Sequence, residues 1–416
     1  MKNAVSRWKA TGLNPSLVAR KLLQLAKNLI PVSGFYFDRP LVVFQSDDWG
    51  RVGVRDREGL EHLRSAGLAI GEHPYDSYTL ETAEDIRALI GTLKQHRDSA
   101  GRHPSLGMNF VLGNPDFARM EADSWREIFI RPLTEGLPAG WMRPGLNDAY
   151  RMGIADGVLR PALHGITHFC QPAVERNLAA EGERAELLRS LWRAGTPYIH
   201  WRMPWVGYEY WDPEESIDAR FLPPALQRDM IAQAVGVFTK MFSVLPASAC
   251  APGYRSNDDT VRAWAQHGIR VVQNGPRLLF PPHFDSNEVL HLFRNLEFEP
   301  AVNPNFSLEA CLEKVEEGFQ RGLPAIVSVH SINFHSTIKD FRTRTLKLLD
   351  EFLTRLERKH ADLLYVHDTE LREFVRQGRC YTVGEALRIN VIKKRFSKAY
   401  GNETYSYDGN RSVSRE

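Results

Sequence analysis

The chain has 416 residues, 43% of them hydrophobic, and its 53 basic side chains against 51 acidic ones leave a formal net charge of +2. This length suits one enlarged domain or two, and the balance of charge removes the main argument for a dedicated nucleic-acid partner. Cys170, Cys250, Cys311 and Cys380 are too few and too scattered for a disulfide scaffold or a paired-cysteine zinc finger. There is no apolar run of the roughly 18 residues that would make a transmembrane segment, and Met1-Lys2-Asn3 is not closely followed by a secretory pattern. A cytoplasmic, soluble enzyme is the expectation.

Residues 1–37 form a basic leader. Lys2, Arg7, Lys9, Arg20, Lys21 and Lys27 precede the first acid, Asp38. Asn14-Pro15 can start a helix whose apolar face comprises Leu17, Leu22, Leu25, Leu29 and Ile30. Such a helix docks on the main domain, with peripheral membrane contact as the weaker alternative.

From Leu41 the sequence alternates short apolar strands with amphipathic helices. LVVF runs into Gln45-Ser46-Asp47-Asp48-Trp49-Gly50; SLGMNFVL, GIRVVQN, PAIVSVH and DLLYVHD are similar strand units. Helices are predicted at 81–97, 224–242, 259–267, 307–321 and 340–359. The alternation implies an α/β layer or, preferably, a barrel spanning 38–376, with strand ends carrying the chemistry. Residues 115–223 read as a long irregular insertion, and 377–416 as a partly flexible C-terminal extension with a basic cluster at Lys393, Lys394, Arg395 and Lys398. The aromatic run from His200 to Trp211 suits either packing of the insertion or a sugar-binding platform.

Several groups could perform chemistry. Asp47 and Asp48 lie at the mouth of a strand; neighbouring strand residues point to opposite faces, but a turn could bring both into one cavity. Alone they suit a helix cap or solvated turn equally well. His164 and His168, four apart, could share a divalent ion from one helical turn or from a loop, or be ordinary hydrogen-bonded histidines. A carboxylate from the aspartate pair would complete a three-ligand site with an open position. His330 at a strand end suits a general acid, or merely closes the strand; His335 is a weaker candidate. In Cys250-Ala251-Pro252-Gly253-Tyr254-Arg255, the turn could present Arg255 to a carboxylate or an anionic substrate group, with Tyr254 as a wall. Asp258 or Asp259 reads as a helix cap.

These blocks together resemble the NodB-like polysaccharide deacetylases of the carbohydrate esterase family 4 type, in a divergent form and over roughly residues 40 to 370. The resemblance implies a distorted (β/α)7 barrel and metal-dependent hydrolytic deacetylation of an N-acetylated sugar or polysaccharide. It implies Asp47 as general base, Asp48, His164 and His168 as ligands of a divalent ion, foremost Zn2+, and His330 as general acid. Arg255, from a loose counterpart of the family's arginine block, is implied to hold Asp47 or the reacting group. The sequence departs from the family in the long interval before His164, in Gly165 within the histidine motif, and in an arginine that follows its aromatic. His73 in GEHPYDSY is a competing match for the histidine motif. The expected partner is an acetylated saccharide; a glycoside hydrolase using two of the carboxylates, or a noncatalytic carbohydrate-binding protein, are the alternatives.

Overall fold

The computed structural model describes residues 34–180, 182–197, 205–210, 218–382 and 385–394. The predicted leader helix and the chain beyond residue 394 lie outside the described residues. Among the described residues, ten strands form the main sheet: β1 Leu41–Trp49, β2 Leu106–Val111, β3 Leu159–Gly165, β4 Ser248–Cys250, β5 Val271–Asn274, β6 His283–Phe284, β7 Leu290–Phe293, β8 Leu296–Glu297, β9 Ala325–His330 and β10 Leu364–Tyr365. Their spatial order is β8-β9-β1-β2-β3-β4-β5-β7-β6, with β10 also on β1. Every contact in the series from β8 to β7 is parallel; only the short edge strand β6 is antiparallel.

The two ends of this series belong to one stretch of chain. At Arg294 the backbone N–H still donates to Asn274 O at the end of β5, at 3.3 Å, whereas the N–H of Asn295 donates to Ile326 O on β9, at 3.1 Å. Asn295 reinforces the change of partner with its side chain: Nδ2 donates to Pro324 O and Oδ1 accepts from Ile326 N–H, each at 2.8 Å. Segment 290–297 therefore joins both sheet edges, and the circuit is a distorted seven-stranded parallel α/β barrel.

The pattern of β1 explains what fills it. Leu41 and Val43 share an apolar cluster with Val271, Leu290, Ile326 and Phe374, while Val42 and Phe44 belong to the larger cluster under the outer helices. This alternation is the two-residue period of a strand. The next inward residue, Gln45, begins a polar layer: its Nε2 donates to Asp368 Oδ1 at 2.8 Å, and Asp368 Oδ2 accepts from Ser248 Oγ at 2.6 Å and Gln273 Nε2 at 2.7 Å. Helix 368–377 thus plugs the end where the strands begin, and Asp47 stands one layer above Gln45.

The predicted helices occur at 83–93, 224–242, 258–266, 308–320 and 342–359. Two boundaries differ from the sequence expectation. Residues 34–37, assigned to the leader, form a strand antiparallel to Val391–Lys394 in the presumed C-terminal extension. The stretch 115–223 is not wholly irregular: it holds the barrel strand β3 and helices at 146–155, 171–179 and 183–193. The helix at 258–266 is capped by Asn257 in a reciprocal box with Thr260, so Asp258 and Asp259 occupy its first turn instead of the cap. Among the described residues, no helix is long and apolar enough to cross a membrane.

Because Asn295 substitutes for a strand pairing at the seam, Asn295→Ala should destabilise the fold by about 1–3 kcal/mol, the cost of stranding two backbone partners. A urea unfolding midpoint unchanged from wild type would contradict this role.

Candidate metal and acid–base site

Adjacent strand residues cannot face the same way, yet Asp47 and Asp48 do. The reason lies in the backbone: Asp48 adopts φ +75°, and the register of β1 on β2 shifts between Ser46 and Trp49. A left-handed non-glycine residue costs about 1–3 kcal/mol and persists only where its surroundings impose it. Here Tyr78 OH donates to Asp48 O at 2.6 Å and Gly50 N–H to Glu81 Oε1 at 2.9 Å. Asn114 spans the following residues, donating to Gly50 O and accepting from Val52 N–H, both at 2.9 Å. Gly50, at φ +77°, supplies a second left-handed step that glycine alone takes without strain.

The turn brings Asp48 to His164 and His168, one ligand atom of each lying within 4.8 Å of the others, all three residues buried. His164 is the penultimate residue of β3; the chain bends at its last residue, Gly165, φ +126°, so His168 follows in a loop and not one helical turn on. His164 Nδ1 lies 2.9 Å from Cys250 O, which fixes its proton there and leaves the Nε2 lone pair facing the cluster. Asp48 Oδ1 is 3.1 Å from His168 Nε2 and 3.6 Å from His164 Nε2. Asp48 Oδ1 and His164 Nε2 are buried without a hydrogen-bond partner. Orphaned polar atoms converging in a protein interior are costly unless a further group joins them, and this donor set fits a divalent cation. Burial, helped by the Arg51 guanidinium, pushes His168 down to about 4 despite the pull of Asp48. Its imidazole is therefore neutral at physiological pH, as metal ligation requires. Burial works against the charge of Asp48 too, but His168 and Arg51 outweigh it and hold the carboxyl well below the usual range.

Asp47 faces the barrel axis. Its two oxygens accept from Arg294 Nη2 and Nη1, each at 2.6 Å, and Oδ1 also accepts from Asn109 Nδ2 at 2.7 Å. Burial favours the neutral acid, yet Arg294, His164 and His330 together keep Asp47 ionised far below the ordinary carboxylate range. Arg294 is itself fully buried and donates further to Gln45, Gln273, Ser328 and Tyr254 OH.

His330 ends β9 directly opposite Asp47 in the strand register, with Nε2 3.8 Å from Asp47 Oδ2. Its Nδ1 is 2.6 Å from Glu299 Oε1, and Asn333 Nδ2 holds the other Glu299 oxygen at 2.5 Å. Burial alone would favour neutral imidazole; Glu299, aided by Asp47 and Asp48, outweighs it and raises His330 to about 9. The His330 side chain is 25% exposed, against 6% for His168 and 1% for Asp48, so the cluster opens to solvent on the His330 side.

The structure therefore brings together Asp47, Asp48, His164, His168 and His330. Arg255 requires a correction: Gly253 and Tyr254, at φ +57° and +58°, turn it toward the 205–210 segment, where Nη1 donates to Glu209 Oε2 at 3.1 Å. The guanidinium on Asp47 comes from Arg294. His73 caps a short helix by accepting from Tyr75 N–H at 3.2 Å, apart from the histidine pair. His335 is buried behind the site, with Nε2 3.6 Å from Glu81 Oε2 and its ring against Tyr78. Of the aromatic run, residues 205–210 are described; Trp205 and Tyr208 are core residues, which is the packing alternative for those two. Arg294 and Glu299 were missed, although a lone arginine in the apolar stretch LHLFRNLEF is the pattern of a charge pointing into a barrel.

No family model and no curated sequence matches the chain. Among solved structures, it is similar to a probable polysaccharide deacetylase from Pseudomonas aeruginosa PAO1, with 11% identity over 82% of this chain and 92% of the other, at TM-score 0.44. A family 4 carbohydrate esterase from Streptomyces lividans, in complex with acetate, aligns at 10% identity over 78% and 90%, TM-score 0.33. A CE4 family pseudoenzyme from Bacillus anthracis aligns at 10% identity over 82% and 69%, TM-score 0.36. Likeness this distant carries no functional weight.

Glu81 accepts from Gly50 N–H and from Tyr150 OH while wholly buried. Glu81→Ala should release the strained turn, lowering stability by about 1–3 kcal/mol and weakening divalent-ion affinity in a calorimetric titration. Unchanged affinity would dissociate the Glu81 bond from the placement of Asp48.

Proposed function

We propose that the chain is a metal-dependent hydrolase that removes an acetyl group from an N-acetylated sugar or polysaccharide. The observation that carries this proposal is the convergence, at the C-terminal end of one parallel barrel, of a two-histidine, one-carboxylate cluster with an ionised acid and a protonated imidazole. Asp48, His164 and His168 would hold the ion, zinc being the foremost candidate. When bound, such an ion acts as a Lewis acid toward the acyl carbonyl and the attacking water.

The remaining work falls to this chain's side chains. Asp47 accepts the proton of the water that attacks the acyl carbon, and Arg294 keeps that carboxylate ionised and fixed in direction. His330 donates the Nε2 proton to the departing nitrogen as the carbon–nitrogen bond breaks, giving acetate and a free amine. Glu299 and Asn333 hold the imidazolium against rotation and keep it charged until that step. An ionised carboxylate facing a protonated imidazole is the division of labour that base and acid catalysis needs.

Elemental analysis and an acetate-release screen on acetylated saccharides test the proposal together. His164→Ala or His168→Ala should lose the ion, whereas Asp47→Asn should retain it and lose at least about 100-fold in turnover. New reducing ends without acetate would favour glycoside hydrolysis instead, and normal turnover in Asp47→Asn would reject the assigned base.

The pH profile tests the acid. His330 is charged below about 9, so kcat/KM should fall as pH rises through that value. Glu299→Gln removes the principal influence raising it and should move this alkaline fall downward by about one pH unit, with metal content unchanged. An unmoved limb would detach Glu299 from the acid.

A further inference from the structure

Asp368 touches none of the reacting groups, yet the polar layer across the barrel runs from it to the base. It opens helix 368–377, where the helix N-terminus favours negative charge, and both its oxygens act as acceptors. Oδ1 accepts from Gln45 Nε2 at 2.8 Å; Oδ2 accepts from Ser248 Oγ at 2.6 Å and Gln273 Nε2 at 2.7 Å. Gln273 Nε2 also donates to Ser248 Oγ at 2.8 Å, which commits the hydroxyl proton to Asp368.

A side-chain amide donates at one end and accepts at the other, so fixing one end fixes both. Asp368 draws the NH2 groups of Gln45 and Gln273 toward the plug helix, and both carbonyls therefore face Arg294. Gln45 Oε1 accepts from Arg294 Nε and Gln273 Oε1 from Arg294 Nη2, each at 3.2 Å. Gln273 Oε1 also takes Asn109 Nδ2 at 2.6 Å, and the same nitrogen donates to Asp47 Oδ1 at 2.7 Å. Besides Asp47, the guanidinium meets Ser328 Oγ, Tyr254 OH and Cys250 Sγ, whose hydrogens can rotate away. The two amides cannot be reversed without setting NH2 groups against the guanidinium. Gln45, Gln273, Asn109 and Arg294 are at most 2% exposed, so water does not replace a lost partner.

We propose that Asp368 is a positioning residue for the base: it sets the direction of two buried amides and through them aims Arg294 and Asn109 at Asp47. The effect reaches Asp47 through a chain of hydrogen bonds from the opposite end of the barrel. The proposal takes the role of Asp47 from the deacetylase reading, but the placement of Arg294 can be measured without turnover.

The test exchanges acid and amide between two positions. Asp368→Asn puts an NH2 group where a glutamine needs an acceptor, and Gln45→Glu alone sets two carboxylates face to face. Together they return an acceptor to each of these donors and leave the charge of the barrel unchanged. In zinc-loaded protein with isotopically labelled arginine nitrogens, the Arg294 Nε–H resonance, identified by its loss in Arg294→Lys, should move in each single variant and return in the double. In acetate release, kcat should fall roughly tenfold or more in each single variant, with KM and zinc content near wild type, and most of that loss should be recovered in the double. Losses that add in the double variant, or a resonance unmoved by Asp368→Asn, overturn the proposal and leave Asp368 as a packing group of the plug helix. Should the single variants not fold, the double variant decides alone: folded with the wild-type resonance it upholds the relay, and unfolded it rejects it. The expected resonance pattern without acetate release from any of the proteins supports the positioning while rejecting deacetylation, so the two failures are distinguishable.

Discussion

A strand presents consecutive side chains to opposite faces, and the site depends on breaking that rule once. Without the left-handed Asp48, the carboxylate beside Asp47 would point among the outer apolar groups that surround Phe44 and Trp49. The strain is localised and opposed by Tyr78, Glu81 and Asn114, each bonding the backbone instead of a carboxylate. Both acids therefore keep their oxygens for the cluster, and the turn that aims them is stiff because its supports are buried.

Two neighbouring acids in one protein interior would ordinarily compete for a proton. Here their partners differ in kind. Asp47 meets a guanidinium through two parallel bonds, and Asp48 meets two imidazoles and Arg51. The polar layer below, from Gln45 to Asp368, gives Arg294 further acceptors, so its charge is solvated by protein where water is excluded. Burying so many polar groups is costly for stability and is tolerated only when nearly all are satisfied. Two of the exceptions, Asp48 Oδ1 and His164 Nε2, lie where a cation would complete them.

Much of this was legible in the sequence because polar residues interrupt apolar strands at their ends: Asp47, Asp48 and His330 stand out against LVVF and AIVSV. Helices such as 224–242 carried a clear helical period. Strand β3 was obscured because Arg160 and Pro161 break its apolar run, and β4 is only three residues long. For Arg294 the apolar stretch around it signals a buried charge, but its partner Asp47 is set by the change of strand pairing at the seam, a property of topology with no local signature. Arg255 attracted the assignment by standing near a proline–glycine turn, but the positive φ values of that turn aim it elsewhere.

The seam also orders events along the chain in time. Asp47 belongs to the first barrel strand and Arg294 lies 247 residues later, on the segment that joins the two sheet edges. During synthesis the carboxylate emerges long before its guanidinium, and dehydrating an unpaired carboxylate carries a large cost. Segment 290–297 brings the guanidinium, but the circuit closes only once β9, residues 325–330, has followed it and paired with both that segment and β1, so charge-matching of Asp47 and closure of the fold are both late steps. A nascent chain stopped before that segment would hold the apolar halves of its strands together around an interior that water cannot yet leave.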